Sequence, residues 1–246
     1  MKVLYAIQAT GNGHISRAKV LIPYLQKNIE VDVLLSGTSA DIELGLPIRF
    51  YFKGLSFVFG KNGGVNIWKT IAQMDFWRFF KDIKRLPLNE YDLVINDFEP
   101  VSAWACFLQK KQCIALSHQF SLLNEKVPKP KKKARFSHLI LKYYAPASVG
   151  YGFHFKSYAS SIYTPIIQKE LKSISPCKEN YFVVYLPAFD DKKIIAILSK
   201  IHNANWFVFS KHTKERYPKI FKKISKKNRL FLGKSPKLWV GGGQES

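Results

Sequence analysis

A histidine follows two glycines directly after an apolar run near the N-terminus. The run spans residues 2–9, and the motif after it reads Gly11-Asn12-Gly13-His14. Glycines at such a turn let backbone amides approach a ligand closely, and the start of the following helix favours a phosphate. Histidine changes charge near neutral pH and suits proton transfer. This segment predicts a ligand site in which His14 moves a proton; the alternative is a histidine hydrogen-bonded to backbone at a helix start.

Two carboxylates close another apolar run. Asp97 and Glu99 lie at the end of segment 91–98 and just beyond it. A carboxylate on the second ring nitrogen of His14 would fix its tautomer and stabilise the imidazolium. Either carboxylate is a candidate for that role, and the alternative for Asp97 is to cap the helix that begins near Pro100.

Three more polar side chains complete the candidate set. Arg17 lies one turn into the first helix, where it can reach a diphosphate or form a surface salt bridge. His118 and Gln119 end the apolar run 112–120. They can hydrogen-bond ligand hydroxyls, or they can pack and cap a loop.

Strand and helix patterns alternate through the first half of the chain. Five apolar runs predict strands, at 2–9, 31–37, 48–60, 91–98 and 112–120. Helical stripes follow the glycine turn and cover 67–86 and 100–111, with a kink or an early end expected at Pro23. The alternation predicts an α/β fold with a parallel sheet and helices on both faces. Ligands in such sheets bind at the carboxyl ends of the strands; the polar groups expected there are Gly11–His14, Ser36–Thr38, Asn96–Glu99 and Ser117–Gln119.

The alternation is interrupted and then resumes. A strand at 148–155 and a linker at 161–176 precede strands at 180–187, 205–210 and 228–233, with a helix at 190–202. The residues that remain are too few for a complete second doubly wound domain. We therefore predict a Rossmann-like N-terminal domain over 1–165 and part of a second one over 166–246.

Composition excludes several classes of protein. The net charge is +22, but lysine supplies most of it and is spread along the chain, and no nucleic-acid-binding motif accompanies it. Three cysteines without CxxC spacing argue against a zinc site. The glycine motif lacks the third glycine of a dinucleotide fingerprint, with Ser16 in its place, and no acidic residue ends the second strand. Neither a secretory signal nor a membrane-spanning run is present, which predicts a cytoplasmic protein.

Several motifs together resemble glycosyltransferases. "GNGHISRA" (11–18) is similar to the glycine-rich turn plus histidine of the UDP-glycosyltransferases and of the lipid-linked N-acetylglucosaminyltransferase of peptidoglycan synthesis. "DLVINDFEP" (92–100) and "IALSHQFSLL" (114–123) resemble a little-characterised bacterial and archaeal glycosyltransferase family. "VVYLP" (183–187) is similar to the start of that family's C-terminal domain.

The resemblance implies a GT-B enzyme, with two Rossmann-like domains facing across a cleft, of which the N-terminal one (1–165) holds the acceptor and the C-terminal one (166–246, here partial) holds the nucleotide sugar. Such an enzyme transfers a hexosyl group from a nucleotide sugar, here expected to be UDP-linked, to a glycan or lipid-linked acceptor, without a metal or cofactor. It implies inversion with His14 as base and Asp97 as its partner, by similarity to the paired Asp of the UDP-glycosyltransferases. The substrate-binding residues expected are Gly11, Asn12, Gly13, Arg17, Glu99, His118 and Gln119.

Two features qualify this expectation. The donor-domain loop and its ribose-binding Glu would lie beyond Ser246, so the chain resembles a C-terminally truncated enzyme, and "GGGQES" (241–246) is either the first part of that loop or an unrelated tail. The alternative function is a fragment or pseudoenzyme that binds an acceptor or anionic lipid. A basic loop and an apolar-aromatic segment over Lys126–Tyr144 predict peripheral contact with the inner face of a membrane, and the alternative is a solvated loop beside a packed helix.

Overall fold

The chain forms two compact units in the computed structural model. The first comprises residues 1–56 and 73–172, and the second comprises 57–72 and 173–246. The predicted boundary at 165/166 stays a prediction. The structure describes residues 1–37, 43–55, 74–129, 135–176, 178, 180–186, 189–209 and 221–224.

In the described part of the first unit, seven parallel strands form one sheet in the order β3-β2-β1-β4-β5-β6-β7. They are β1 (Lys2–Gln8), β2 (Glu30–Ser36), β3 (Phe50–Phe52), β4 (Leu93–Asp97), β5 (Cys113–Ser117), β6 (Val149–Phe153) and β7 (Ile162–Tyr163). This order, which runs outward on both sides of β1, confirms the predicted α/β Rossmann-like class.

Helices connect most of these strands. Their bounds are α1 (Asn12–Leu25), α2 (Phe76–Arg85), α3 (Pro100–Gln109), α4 (His118–Ser121), α5 (Arg135–Tyr143) and α6 (Lys169–Lys172), with a 3-10 turn at Leu88–Glu90. No helix in the described ranges combines the length and the apolar character needed to span a bilayer.

β1 lies at the centre of the core because its residues are apolar on both faces. Val3 to Ile7 are fully buried, and Tyr5 and Ile7 pack with Ile15 and Ala18 of α1. The register sets Ile7 opposite Asp97 of β4. The first turns of α1 therefore stand over the carboxyl end of β4, as the helical stripe of the sequence predicts.

Two glycines of β6 bring α4 onto the sheet. A Cβ built on Gly150 would lie 2.1 Å from the ring of Phe120, and one on Gly152 would lie 2.6 Å from Cβ of Ser121. No larger side chain fits at either position without moving the helix. The short helix that carries His118 and Gln119 thus rests directly on this strand.

Some local expectations were wrong. The early helix end expected at Pro23 was wrong, because the proline falls in the last turn and α1 continues to Leu25; the kink stays a prediction. β5 ends at Ser117, whose hydroxyl accepts from the amide of Phe120 and so starts a helix where a strand was expected. The expected linker at 161–176 contains β7 and α6.

The second unit repeats the β/α pattern. β8 (Phe182–Tyr185), α7 (Asp191–Leu198), β9 (Trp206–Phe209) and β10 (Phe221–Ile224) are described, and the strands pair in parallel in the order β10-β9-β8. The strands predicted at 180–187 and 205–210 and the helix at 190–202 are confirmed in shortened form. β10 was not predicted. Segments 61–66, 67–73, 228–233 and 241–246 lie outside the described residues.

Candidate active site

His14 is held at the first turn of α1 by the glycine motif. Gly11 precedes the helix in extended conformation, and no side chain caps it. A Cβ built on Gly11 or Gly13 would meet no atom of the described residues within 4 Å. The first turn carries no acidic side chain. The N-terminus of a helix favours an anion.

A hydrogen bond joins His14 to Asp97. Nδ1 of His14 donates to Oδ1 of Asp97 over 2.8 Å, with His14 only 8% exposed and Asp97 fully buried. The side-chain amide of Gln119 donates to Nε2 of His14 over 3.2 Å. An ionised carboxylate accepts only, so the proton of the neutral ring is on Nδ1 and the lone pair is on Nε2.

Arg17 binds the same carboxylate with two donors. Its Nε donates to Oδ2 of Asp97 over 2.9 Å, and its Nη2 donates to Oδ1 over 2.7 Å. Nη2 also lies 3.2 Å from Nδ1 of His14, and the guanidinium stands 5.2 Å from the ring centre of Phe153. Of the two roles the sequence allowed for Arg17, the ion pair is present, but it is inside the protein and not on its surface.

These contacts keep Asp97 and Arg17 ionised although Asp97 is fully buried and Arg17 largely so. Burial alone would raise the pKa of Asp97, but the attraction of His14 and Arg17 outweighs it and lowers that pKa. Burial would likewise lower the pKa of Arg17, and Asp97 outweighs it and raises that pKa. Asp97 is therefore a carboxylate at neutral pH, and the group of three side chains has no net charge while His14 is neutral.

Glu99 has a different partner from Asp97. Its Oε1 accepts from the amide of Val101 over 2.8 Å, and its Oε2 accepts from both the amide and the hydroxyl of Ser102, each over 2.6 Å. It is fully buried as the N-cap of α3. Burial raises the pKa of Glu99, and the bonds from Ser102 and Val101 oppose that shift. The helix cap that the sequence allowed for Asp97 is thus formed by Glu99.

Phe98 separates the two carboxylates with a backbone conformation that favours glycine. Its φ is 59°, and its buried ring packs on Tyr144 with ring centres 4.8 Å apart. A positive φ is unfavourable for a bulky residue and persists only where the surrounding structure holds it. It ends β4 abruptly, so that Asp97 faces α1 while Glu99 turns back to α3.

His118 and Gln119 face different surroundings although they are neighbours in the chain. Nδ1–H of His118 donates to the carbonyl oxygen of Phe153 over 2.7 Å, and its ring lies 5.9 Å from that of His154. Gln119 reaches His14, and its Oε1 is buried without a hydrogen-bond partner among the described residues.

Four of the predicted residues are in contact in the structure: His14, Arg17, Asp97 and Gln119. His118 is the neighbour of Gln119 in α4 and bonds to the backbone of Phe153, and Glu99 caps α3 instead. Phe153, whose ring lies beside Arg17, was not among the predicted residues, and its signal in the sequence is the aromatic run "GFHF" (152–155) at the end of β6. Within the described ranges, no three His, Cys, Asp or Glu side chains cluster in a way that could hold a metal ion.

Comparison with known proteins identifies the family of this chain. A family model described as glycosyl transferase family 1 matches residues 1–226. No curated protein matches the chain.

Among solved structures, the chain is similar to the glycosyltransferase SsfS6 of Streptomyces sp. SF2575 (12% identity, 92% of this chain and 71% of that one, TM-score 0.47). It is also similar to SnogD of Streptomyces nogalater (13%, 92% and 71%, TM-score 0.43) and MurG of Acinetobacter baumannii (14%, 87% and 61%, TM-score 0.44). The chain therefore spans between 61% and 71% of these three structures.

Proposed function

The chain belongs to glycosyl transferase family 1, and we propose that it transfers a hexosyl group from a UDP-linked sugar to a hydroxyl of a glycan or lipid-linked acceptor. The observation that carries this proposal is the His14–Asp97 hydrogen bond of 2.8 Å at the carboxyl end of β4. It leaves the lone pair of His14 on Nε2, the nitrogen that Asp97 does not contact.

His14 is the general base of the proposed reaction. The acceptor hydroxyl donates its proton to Nε2, and its oxygen forms the new bond to the anomeric carbon. The bond from that carbon to the nucleoside diphosphate breaks, and the leaving group takes the electron pair. Attack on the face opposite the leaving group inverts the anomeric configuration. Asp97 accepts from Nδ1–H throughout and stabilises the imidazolium that forms.

Arg17 positions Asp97. Its two hydrogen bonds fix the plane of the carboxylate, and its contact with Phe153 fixes the guanidinium. Since the guanidinium is engaged with Asp97, we assign phosphate binding to the backbone of the glycine motif instead. Gly11 immediately precedes a 14-residue helix that begins with Asn12 and Gly13, and the first turn of this helix carries no acidic residue of its own.

Transfer from radiolabelled UDP-glucose, UDP-galactose and UDP-N-acetylglucosamine to methyl glycosides tests this function. We expect turnover with at least one donor, and a fall in kcat of about 10²–10⁴-fold in His14→Ala, the usual contribution of a general base. The matched control is His202→Ala, an exposed histidine of the second unit. Equal activity of His14→Ala and wild type would refute the proposed base.

The first unit also offers a surface for the membrane contact that the sequence predicts. Leu139 and Tyr143 lie one turn apart on α5 and are 50% and 51% exposed, with Lys142 beside them. Apolar side chains next to basic ones favour the interface of an anionic bilayer. We propose that this face of α5 rests on the membrane that carries a lipid-linked acceptor.

Cosedimentation with phosphatidylcholine vesicles, with and without phosphatidylglycerol, tests this contact. We expect binding only to the anionic vesicles, and its loss in Leu139→Ser/Tyr143→Ser but not in Leu108→Ser, which changes an exposed leucine of α3. Equal binding by all three proteins would refute the role of α5. Vesicle binding without turnover on any donor would favour the alternative, a binding module without transferase activity.

A further inference from the structure

Gln119 has an unsatisfied hydrogen-bond acceptor next to the proposed base. Its Nε2 is 3.2 Å from Nε2 of His14, while its Oε1 is buried and has no partner within the described residues. A buried polar atom without a hydrogen-bond partner destabilises the folded state. Such an atom in a native structure calls for an explanation, and a bound ligand that donates a hydrogen bond supplies one.

The tautomer of His14 determines what the amide presents to a ligand. Because Nδ1–H donates to Asp97, the lone pair of Nε2 accepts from the amide N–H of Gln119. The acceptor hydroxyl of the proposed reaction must donate to this same lone pair. On entering, it replaces the amide N–H at Nε2, and that N–H then lies within reach of the hydroxyl oxygen.

We propose that Gln119 selects acceptors with two neighbouring hydroxyl groups, an inference that rests on the transferase function proposed above. The first hydroxyl donates to Nε2 of His14 and accepts from the N–H of Gln119. The second, on the adjacent carbon, donates to Oε1 of Gln119, which rotation of the side chain exposes once its N–H has left Nε2 of His14. A carboxamide presents a donor and an acceptor side by side, and a vicinal diol does the same. The acceptor class is therefore a sugar or polyol and not an isolated phenol or alcohol.

The same contacts assist the transfer step. As the proton of the first hydroxyl moves to Nε2 of His14, its oxygen gains negative charge before the bond to the anomeric carbon is complete. The N–H of Gln119 donates to that oxygen, and a donor fixed beforehand stabilises such charge. Gln119 thereby contacts the reacting oxygen itself as well as its neighbour.

The packing of α4 holds the backbone of Gln119 in position. The hydroxyl of Ser117 accepts from the amide of Phe120 over 3.1 Å, and that of Ser121 donates to the carbonyl of His118 over 2.7 Å. Gly152 of β6 allows Ser121 to approach the strand. The backbone on both sides of Gln119 is thus fixed, which limits the orientations open to its side chain.

Nuclear magnetic resonance on the full chain, with ¹⁵N-labelled glutamine and histidine, tests the diol site directly. The probes are cis- and trans-1,2-cyclohexanediol, and cyclohexanol at equal concentration is their single-hydroxyl control. We expect at least one diol to shift the side-chain amide of Gln119 and Nε2 of His14, and cyclohexanol to shift neither. Equal shifts from the diols and cyclohexanol, or no shift from either diol, would overturn the inference; this comparison requires no variant.

Transfer kinetics provide the second arm. With methyl glycosides, Gln119→Leu should lower kcat/KM by about 10–100-fold, since a site built to hydrogen-bond a hydroxyl loses both contacts. Gln109→Leu, an exposed glutamine at the end of α3, should match wild type. If 4-nitrophenol accepts sugar as well as a glycoside does, in both wild type and Gln119→Leu, the diol inference fails and the transferase proposal stands. If nothing accepts sugar but a diol still shifts Gln119, the transferase proposal fails and the diol site stands.

Discussion

Replacement of Asp97 by Asn should destabilise the first unit by leaving Arg17 as a buried, unpaired cation. Asp97 is fully buried, and the side chain of Arg17 is 13% exposed. The carboxylate accepts two hydrogen bonds from Arg17 and one from His14. In Asp97→Asn the new amide group carries N–H donors that face the N–H donors of Arg17.

The expected loss follows from the burial of the pair. Removal of one partner of a buried ion pair costs about 3–5 kcal/mol, because the other charge stays without compensation. The slight exposure of Arg17 places the expected value near the lower end, about 3 kcal/mol. Removal of both charges in Arg17→Met/Asp97→Asn leaves only lost hydrogen bonds, about 1 kcal/mol. The double variant should therefore be more stable than Asp97→Asn by about 2 kcal/mol.

Hydrogen exchange of β1 and β4 amides measures this difference for the first unit alone, whereas a single melting curve would combine both units. We expect exchange about 10²-fold faster in Asp97→Asn than in wild type, and partial recovery in the double variant. Transfer activity should remain lost in both. A loss below 1 kcal/mol in Asp97→Asn, or a double variant less stable than the single one, would refute the argument from the buried pair.

Three further predictions concern the surroundings of this pair. Glu99→Ala removes the cap of α3 and leaves the amides of Val101 and Ser102 unpaired. The free energy of unfolding should therefore fall by about 2 kcal/mol, measured by hydrogen exchange of the α3 amides. Unchanged exchange would refute the cap. Gly152→Ala places a Cβ 2.7 Å from the backbone of Ser121 and should lower transfer by displacing Gln119, while a structure with α4 unmoved would contradict this. The lowered pKa of Asp97 means that its contribution to stability is present above the unfolded pKa of about 3.9 and is lost as the pH falls through the folded pKa. Acid unfolding should therefore be steeper in wild type than in Arg17→Met/Asp97→Asn, and parallel curves would contradict it.

The sheet was predictable because its signals are local. The apolar runs that form β1, β4 and β5 are short, bounded by polar residues and separated by helical stripes, which is the pattern that a parallel sheet imposes. β7 and β10 were not predicted from the sequence. β7 has two residues and is held by the edge of β6, a long-range contact with no pattern of its own. Charged residues interrupt the apolar pattern of β10.

The spacing of Asp97 and Glu99 in the sequence does not show which carboxylate bonds to His14 and which caps α3. Asp97 and Glu99 are both near the end of a strand and the start of a helix, and either can cap that helix. The choice depends on Phe98, whose positive φ is sustained by the packing of its ring on Tyr144, far away in the sequence. A phenylalanine gives no local sign of such a conformation. The same reasoning covers Arg17, whose partner lies 80 positions along the chain.

The presence of Arg17 changes what a histidine–carboxylate pair can do in this protein. A buried carboxylate alone would favour a charged ring in the resting site, because the imidazolium would then be its only counter-ion. Here Arg17 already compensates Asp97, so the group has no net charge while the ring of His14 is neutral and becomes positive when the ring takes up a proton. In the proposed reaction that proton comes from the acceptor at the moment when negative charge collects on the departing diphosphate. The positive charge on His14 and the negative charge on the diphosphate arise together and attract each other. This attraction favours uptake of the proton during transfer and its release once the diphosphate has left.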